Sequence, residues 1–519
     1  MSTGLASYPR EYQNPEQSPR DGKWVVAAVM LLYAALHLAA INSYGWFRDE
    51  FYYIACGEHL AFGYVDHPPL VALIARVTRG LLGESLMAAR IPSLLAGMAV
   101  IWLCGRIARE LGGGRWAQGM AALCALVAPV YLFLFHVLSM NSFDVLFWTL
   151  GAWVVAKIVS GGDPKLWLLF GVICGLGLQN KHSLLFFGFG VFVGLLLTPE
   201  RRHFRERWIW LGGAIAVLLF LPHVIWQMAH GWPTAEFVRN ATEHKNVALS
   251  PLAFFVEQIM QMHPLTFPVW LAGLVWLFRS RYRVFGWAYV AAFLVLITQS
   301  SKPYYLAPAY PPLFAAGGIA IERAIESWIR RPALRLLLPI LLLAGGTVLV
   351  PLTVPILPVA SFIRYAGALG LGMSAVERHE MGALPQHFAD MHGWEEMVAE
   401  VARVYRSLPP EEQAIAGIYG QNYGEAGAVD VLGKKYGLPK ASSGHNNYFL
   451  WGPQGSGDVL IIIGGDSEDH RQGFKDVRQA GEVKCGGLCM PYEDNLPIWI
   501  ARGLKAPIRE VWPAVKHYD

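Results

Sequence analysis

Eleven apolar runs leave this chain few folds to choose from. They lie at 24–41, 85–105, 116–135, 142–158, 166–180, 183–198, 208–227, 264–278, 284–299, 304–321 and 335–357. A helix that crosses the hydrocarbon core needs roughly 20 apolar residues. In lipid each backbone donor and acceptor must be satisfied within the segment or by its neighbours, which selects helices. Only 15% of the 519 residues are charged, against about a quarter in a soluble chain, and 54% are hydrophobic. The expectation is a polytopic α-helical membrane protein with about 11 spans. The net charge of +4 is scattered in short clusters with no basic stripe, so a nucleic-acid partner is not expected.

Orientation follows from the bias of Lys and Arg toward cytoplasmic loops. Residues 1–23 are polar and have no apolar core followed by a cleavage site, so they read as a cytoplasmic tail. With that end inside, Arg106/Arg109/Arg115, Arg201/Arg202/Arg205/Arg207 and Arg279/Arg281/Arg283 all fall in cytoplasmic connections. The membrane domain is then 24–357, with long external loops at 42–84 and 228–263. The stretch 68–82 is short and carries Arg76 and Arg79, which marks it as an interfacial helix of the first loop.

An odd number of spans puts residues 358–519 on the extracytoplasmic side as a separate soluble domain. Its pattern predicts helix over 393–407, strand over 414–419, helix over 424–436, strand over 458–464, and shorter strands near 481–484 and 497–502. Such alternation points to a small α/β layer fold. The segment Ile461–Asp466 lacks G-x-G-x-x-G spacing and reads as a core strand ending in a turn. Cys104, Cys124 and Cys174 sit in apolar runs as small core residues. Cys485 and Cys489 lie in the polar domain, where a disulfide and two free thiols both remain open.

The unusual polar residues collect in the external loops. Asp49 and Glu50 sit in Arg48-Asp-Glu-Phe-Tyr52-Tyr53, followed by Gly63-Tyr-Val-Asp66-His67-Pro68-Pro69. Neighbours on a helix point about 100° apart. One acid can therefore act on a substrate while the other anchors the loop, although acids in a first helical turn also simply favour the helix dipole. A carboxylate at a low-dielectric surface suits a general base. Asp66 and His67 are weak metal candidates, because a site needs three or four ligands. His67 also reads as a satisfied loop histidine.

Asp144 opens the fourth span, where a cap is the plain alternative. Lys181 and Lys302 lie at external span ends, and Tyr304 and Tyr305 form an aromatic shelf after Pro303. With His67, Arg90 and Arg239, Lys302 offers positive charge to a phosphate leaving group, which such a reaction must stabilise. Lys181 joins Tyr52, Tyr53 and Asp66 as a substrate contact. Arg90, inside a span, requires a carboxylate or phosphate partner.

Asp49-Glu50-x-Tyr52-Tyr53, Gly63-Tyr-x-Asp66-His67-Pro-Pro-Leu70, an acid at the fourth span and Lys302-Pro-Tyr-Tyr-Leu resemble the bacterial protein-mannosyltransferase-like family. These are GT-C glycosyltransferases of the family 39 and aminoarabinose-transferase type. The resemblance covers roughly 24–357. The stretches Asn422–Gly427 and Ser443–Tyr448 also look like segments of a bacterial subgroup.

The resemblance implies a polyprenyl-phosphate-linked sugar donor, a lipid, glycan or protein acceptor, and inverting transfer on the periplasmic side of the inner membrane. No cofactor is required, and a divalent metal is possible. Asp49 matches the first-loop catalytic acid and Asp144 the second acidic position. Asp66-His67 fall where aminoarabinose transferases have Glu-Lys before Pro-Pro, so a histidine stands in place of the lysine that meets the lipid phosphate. A lipid or glycan transporter and a non-enzymatic envelope assembly protein are the competing expectations. A transporter predicts repeats and polar residues near the midplane.

Overall fold

The computed structural model describes residues 21–245, 247, 249–299, 301–329, 333–370 and 380–519. Most of the tail expected at 1–23 therefore lies outside the described residues. The apolar runs form helices: α1 (Lys23–Ala40), then, past the first loop with α2 (Arg48–Glu58) and α3 (Leu70–Leu82), α4 (Leu86–Glu110). There follow α5 (Arg115–Val127), α6 (Pro129–Leu134), α7 (Met140–Val159), α8 (Leu166–Leu178), α9 (Leu184–Leu196) and α10 (Arg207–Ala229). The second long loop holds α11 (Pro233–Asn240) and α12 (Pro251–Gln261). The bundle closes with α13 (Phe267–Arg279), α14 (Arg283–Ile297), α15 (Pro311–Ala324), α16 (Leu334–Leu349) and α17 (Val359–Ala368).

Several expected boundaries change for local reasons. The single span expected at 116–135 is broken, because Pro129 forces Ala128 to an extended ψ of 113° and α6 starts anew. Residues 303–309 form a 3-10 turn before α15, so the run expected at 304–321 is only partly α-helical. Among the described residues, five helices are each long and apolar enough to cross a bilayer alone, or six if the bent pair Leu184–Leu196 and Pro199–Arg205 counts as one. This falls short of eleven independent spans. The chain is nonetheless a multi-pass membrane protein, with α10 exposing Trp210, Val217, Leu218 and Ile225.

Helices meet through small residues, as bundles in lipid do. A Cβ on Gly212 of α10 would lie 2.1 Å from the Trp167 carbonyl in α8, and one on Gly317 of α15 would lie 2.0 Å from Val269 O in α13.

The C-terminal part carries a five-stranded mixed sheet in the order β2-β1-β3-β5-β4. Its strands are β1 (Gly417–Gly420), β2 (Ala441–Ser442), β3 (Val459–Ile463), β4 (Phe474–Val483) and β5 (Leu496–Leu504). β1 runs parallel to β2 and β3, and β5 is antiparallel to both β3 and β4. β3 is buried along its whole length. β4 is a largely exposed edge strand that runs well beyond the expected 481–484. The helix Trp394–Arg406 packs against β3 and β4, and Tyr423–Leu432 against β1 and β2. Cys485 and Cys489 are joined as a disulfide against Gly393, at the start of the first of these helices.

One hydrophobic core unites this sheet domain with the first loop. Phe51, Tyr52 and Ala55 of α2 pack with Val398, Ile418, Ala426 and Val429. Gly424 and Gly427, three apart on one helical face, permit the contact: Cβ atoms there would lie 2.6 Å from Arg48 Cγ and 2.8 Å from Phe51 Cβ.

Candidate functional site

The first loop is fixed by an ion pair. Glu50 is fully buried, and its carboxylate accepts from Arg90 Nε at 2.9 Å and Arg90 Nη2 at 3.0 Å. It also accepts from the backbone amides of Phe47 (2.8 Å) and Leu138 (2.9 Å). Arg90, equally buried, completes its shell on the carbonyls of Ile41 and Gly45, at 2.9 and 2.7 Å. The geometry gives Arg90 the carboxylate that was one of its two expected partners and makes Glu50 the acid that anchors the loop, while it corrects the catalytic role of Glu50 and the phosphate-binding role of Arg90. Glu50 does not face a substrate, and Arg90 does not face a phosphate: each satisfies the other, tying α2 to α4 and to the turn before α7.

With Glu50 turned inward, Asp49 points to the opposite side, where its side chain keeps 30% exposure. Tyr423 of the sheet domain donates its phenolic hydrogen to Asp49 Oδ1 at 2.8 Å, and Arg48 Nε lies 3.8 Å from the same oxygen. Asp66 sits alongside, accepting from Tyr52 Oη at 2.7 Å. Burial, with Asp49 and Asp66 nearby, pushes the Tyr53 phenol well up, so it stays neutral between two carboxylates. Lys440 and Arg79 fasten the far end of α2: burial works to raise Glu58, but their hydrogen bonds win and bring it to about 2.

His67 is fully enclosed by the rings of Tyr52, Tyr53 and Tyr64. Its Nδ1 donates to the Pro68 carbonyl at 2.8 Å, and its Nε2 is buried with no hydrogen-bond partner among the described residues. Direct contact with a phosphate, expected for His67, does not fit this burial.

Asp144 belongs to a second group. It accepts from Ser183 Oγ at 2.6 Å and lies 3.7 Å from Lys181 Nζ. Lys181 in turn donates to Asn141 Oδ1 at 2.6 Å and stands 4.4 Å from the Tyr305 ring centroid and 5.7 Å from that of Tyr304. Lys302 precedes these tyrosines at the head of the turn Pro303–Ala309. Tyr53, reaching toward Ser139 and Met140, links the two groups. Arg239 lies apart, on the exposed side of α11, where it lines a cavity of about 600 Å³ with His182, Phe220, His223 and Trp232.

Residues of the sheet domain close the first-loop site, and periodicity gave no sign of them. Asn447 Oδ1 accepts from Val65 N at 2.6 Å and from Tyr52 Oη at 3.3 Å. The Tyr423 ring packs 4.7 Å from both Tyr52 and His445. His445 receives the Tyr423 amide on Nδ1 at 3.4 Å and donates from Nε2 to the Asp519 carbonyl at 3.0 Å. His445, His517 and Asp519 could together be bridged by a cation, but the His445 hydrogen bonds make this a clasp on Tyr423. The signal available was the two segments Asn422–Gly427 and Ser443–Tyr448.

Behind Tyr423 lies a pair of buried acids sharing the Asn422 amide, Glu425 at 2.9 Å and Glu493 at 3.1 Å. Burial pushes Glu493 up to about 7, opposed by Asn422 and Arg48. Burial and the charge of Glu493 raise Glu425 as well. The folded domain thus keeps a proton that the unfolded chain releases near pH 4.5. Stability is expected to fall as pH rises from about 4.5 to about 7 and then to level off. At roughly 1.4 kcal/mol per pKa unit the full effect is on the order of 3–4 kcal/mol. Melting curves at pH 5 and pH 8 check this, and Glu493→Gln should flatten the difference; an unchanged difference would count against the assignment.

The comparisons with known proteins bear on the fold that carries this site. The family model described as dolichyl-phosphate-mannose-protein mannosyltransferase matches residues 66–226. A lipid A galacturonosyltransferase, RgtD of Rhizobium johnstonii, is 23% identical over 268 residues, 51% of this chain and 56% of that protein. The chain therefore spans little more than half the length of this relative. ArnT of Cupriavidus metallidurans in its apo state superposes with a TM-score of 0.60 at 15% identity, over 92% of this chain and 97% of ArnT. The same protein bound to undecaprenyl phosphate gives 0.57, with the same coverage. Over nearly its whole length the chain therefore shares the fold of ArnT.

Proposed function

We propose that this protein transfers a sugar from a polyprenyl-phosphate-linked donor to an acceptor of the cell envelope, with Asp49 as the base. The observation that carries the proposal is the division of labour in the first loop. Glu50 is consumed by Arg90, whereas Asp49 is open to solvent and held by Tyr423 beside Asp66.

Asp49 takes the proton from an acceptor hydroxyl or amine, whose lone pair attacks the anomeric carbon. The bond from that carbon to the phosphate oxygen breaks on the opposite face, giving inversion, and polyprenyl phosphate leaves with the electron pair. A phosphate is a good leaving group that cations alone can stabilise, so the reaction calls for no resident cofactor. Lys181, beside the Tyr305 ring, and Lys302, at the head of the turn that carries Tyr305, are the cations assigned to that purpose. The cavity bounded by Phe220, Trp232 and Arg239 suits the start of the lipid chain.

The Arg-rich connections between helices support placing the loop and the sheet domain on the periplasmic side of the inner membrane. Mass spectrometry of envelope glycolipids and glycoproteins tests the reading. A strain lacking the gene should lose one hexosyl or pentosyl unit from a defined class of molecule and accumulate the lipid-linked donor. An unchanged profile would overturn the proposal.

A further inference from the structure

We infer that Tyr423 positions the Asp49 carboxylate, so that the active centre is completed by the sheet domain and not by the membrane helices alone. This rests on the reading of Asp49 as the base. Asp49 is one of the few first-loop acids with freedom to turn. Its backbone is fixed by the neighbouring Glu50, but its side chain is 30% exposed, and Arg48 Nε is too far, at 3.8 Å, to make a hydrogen bond. The phenol of Tyr423, at 2.8 Å, is the close donor. It occupies Oδ1 and leaves Oδ2 for the acceptor.

The phenol is itself placed with care. Asn422 caps the helix beginning at Tyr423, through Gly424 N (2.8 Å) and Glu425 N (3.0 Å). The Tyr423 ring is held between Tyr52 and His445, with the Arg48 guanidinium 5.6 Å from its centroid. Gly424 and Gly427 bring α2 within backbone reach, which a side chain at either position would prevent. From the other strand connection Asn447 grips the Val65 amide and Tyr52, fixing the loop that carries Asp66. The segments Asn422–Gly427 and Ser443–Tyr448 thus have one purpose: they aim the acids of the first loop.

The test uses the full-length protein in detergent, with polyprenyl-phosphate-linked sugars extracted from the source membranes as the probe. Release of polyprenyl phosphate is followed by mass spectrometry. Tyr423→Phe keeps the ring packing and removes only the donor. It should lower turnover at saturating donor about ten- to a hundredfold, while the half-saturating donor concentration, the melting temperature and the proteolytic pattern of the sheet domain stay as in the wild type.

Wild-type turnover in Tyr423→Phe, alongside an inactive Asp49→Asn, would overturn the inference and leave the function standing. A Tyr423→Phe protein whose melting temperature falls with its turnover would overturn it too, in favour of plain packing. Wild-type turnover in Asp49→Asn would instead overturn the reading of the base.

Discussion

Replacing Arg90 with alanine is expected to destabilise the protein by about 3–5 kcal/mol, because it leaves a fully buried carboxylate without its counter-charge. Four hydrogen bonds meet on Glu50, two from Arg90 and one each from the amides of Phe47 and Leu138. Removing the guanidinium also frees the carbonyls of Ile41, which is buried, and of Gly45, which is partly buried. Glu50→Gln should be milder, since an amide oxygen still accepts, but it presents an N–H to donors on one side. The usual exchange of a buried pair for apolar residues would not be neutral here, because two backbone amides depend on the carboxylate as well. Thermal unfolding in detergent, read by circular dichroism, measures the loss. An Arg90→Ala protein that melts within 2 °C of the wild type would show that the pair does not hold the loop.

The helical bundle was legible because lipid makes the same demand everywhere: a long apolar run has one economical conformation. The helix expected at 68–82 was legible too, since Pro68-Pro69 set its start; α3 occupies Leu70–Leu82. Boundaries failed where a proline acted within a run, as Pro129 does between α5 and α6. In the sheet domain β3 was readable as an unbroken apolar stretch. β4 was not, because an exposed edge strand carrying Lys475, Asp476, Arg478 and Glu482 has no apolar alternation to see.

The site divides in the same way. Asp49 and Glu50 were visible as a pair of acids, and helix geometry said that they part company, but only packing decides which of them turns inward. The partner of Asp49 lies 374 residues away and could not be found by spacing. Periodicity reports the face a residue presents, not what that face meets. Within Asn422–Gly427 the glycines at 424 and 427 are a local trace of the contact, since two small residues on one helical face imply a close neighbour.

Asp49→Asn is expected to lower sugar transfer by about a hundred- to ten-thousandfold, the range in which a positioned base contributes, and to leave the fold intact. Both halves follow from the surroundings. The amide oxygen can still accept from Tyr423, and at 30% exposure the loss of charge leaves no buried partner stranded, since Arg48 also faces Asp390 at 3.8 Å. What disappears is the capacity to take a proton from the acceptor. The contrast with Arg90 is the informative part: breaking the Arg90–Glu50 pair should give a thermal phenotype, and replacing the neighbouring acid Asp49 a catalytic one. Melting temperature and polyprenyl phosphate release, measured on the same preparations, separate them. Asp49→Asn should melt with the wild type while release falls, and Arg90→Ala should melt early. If Asp49→Asn retained release within threefold of the wild type, the proton would have to go elsewhere, and Asp66, bonded to Tyr52 in the same loop, would be the carboxylate to replace next.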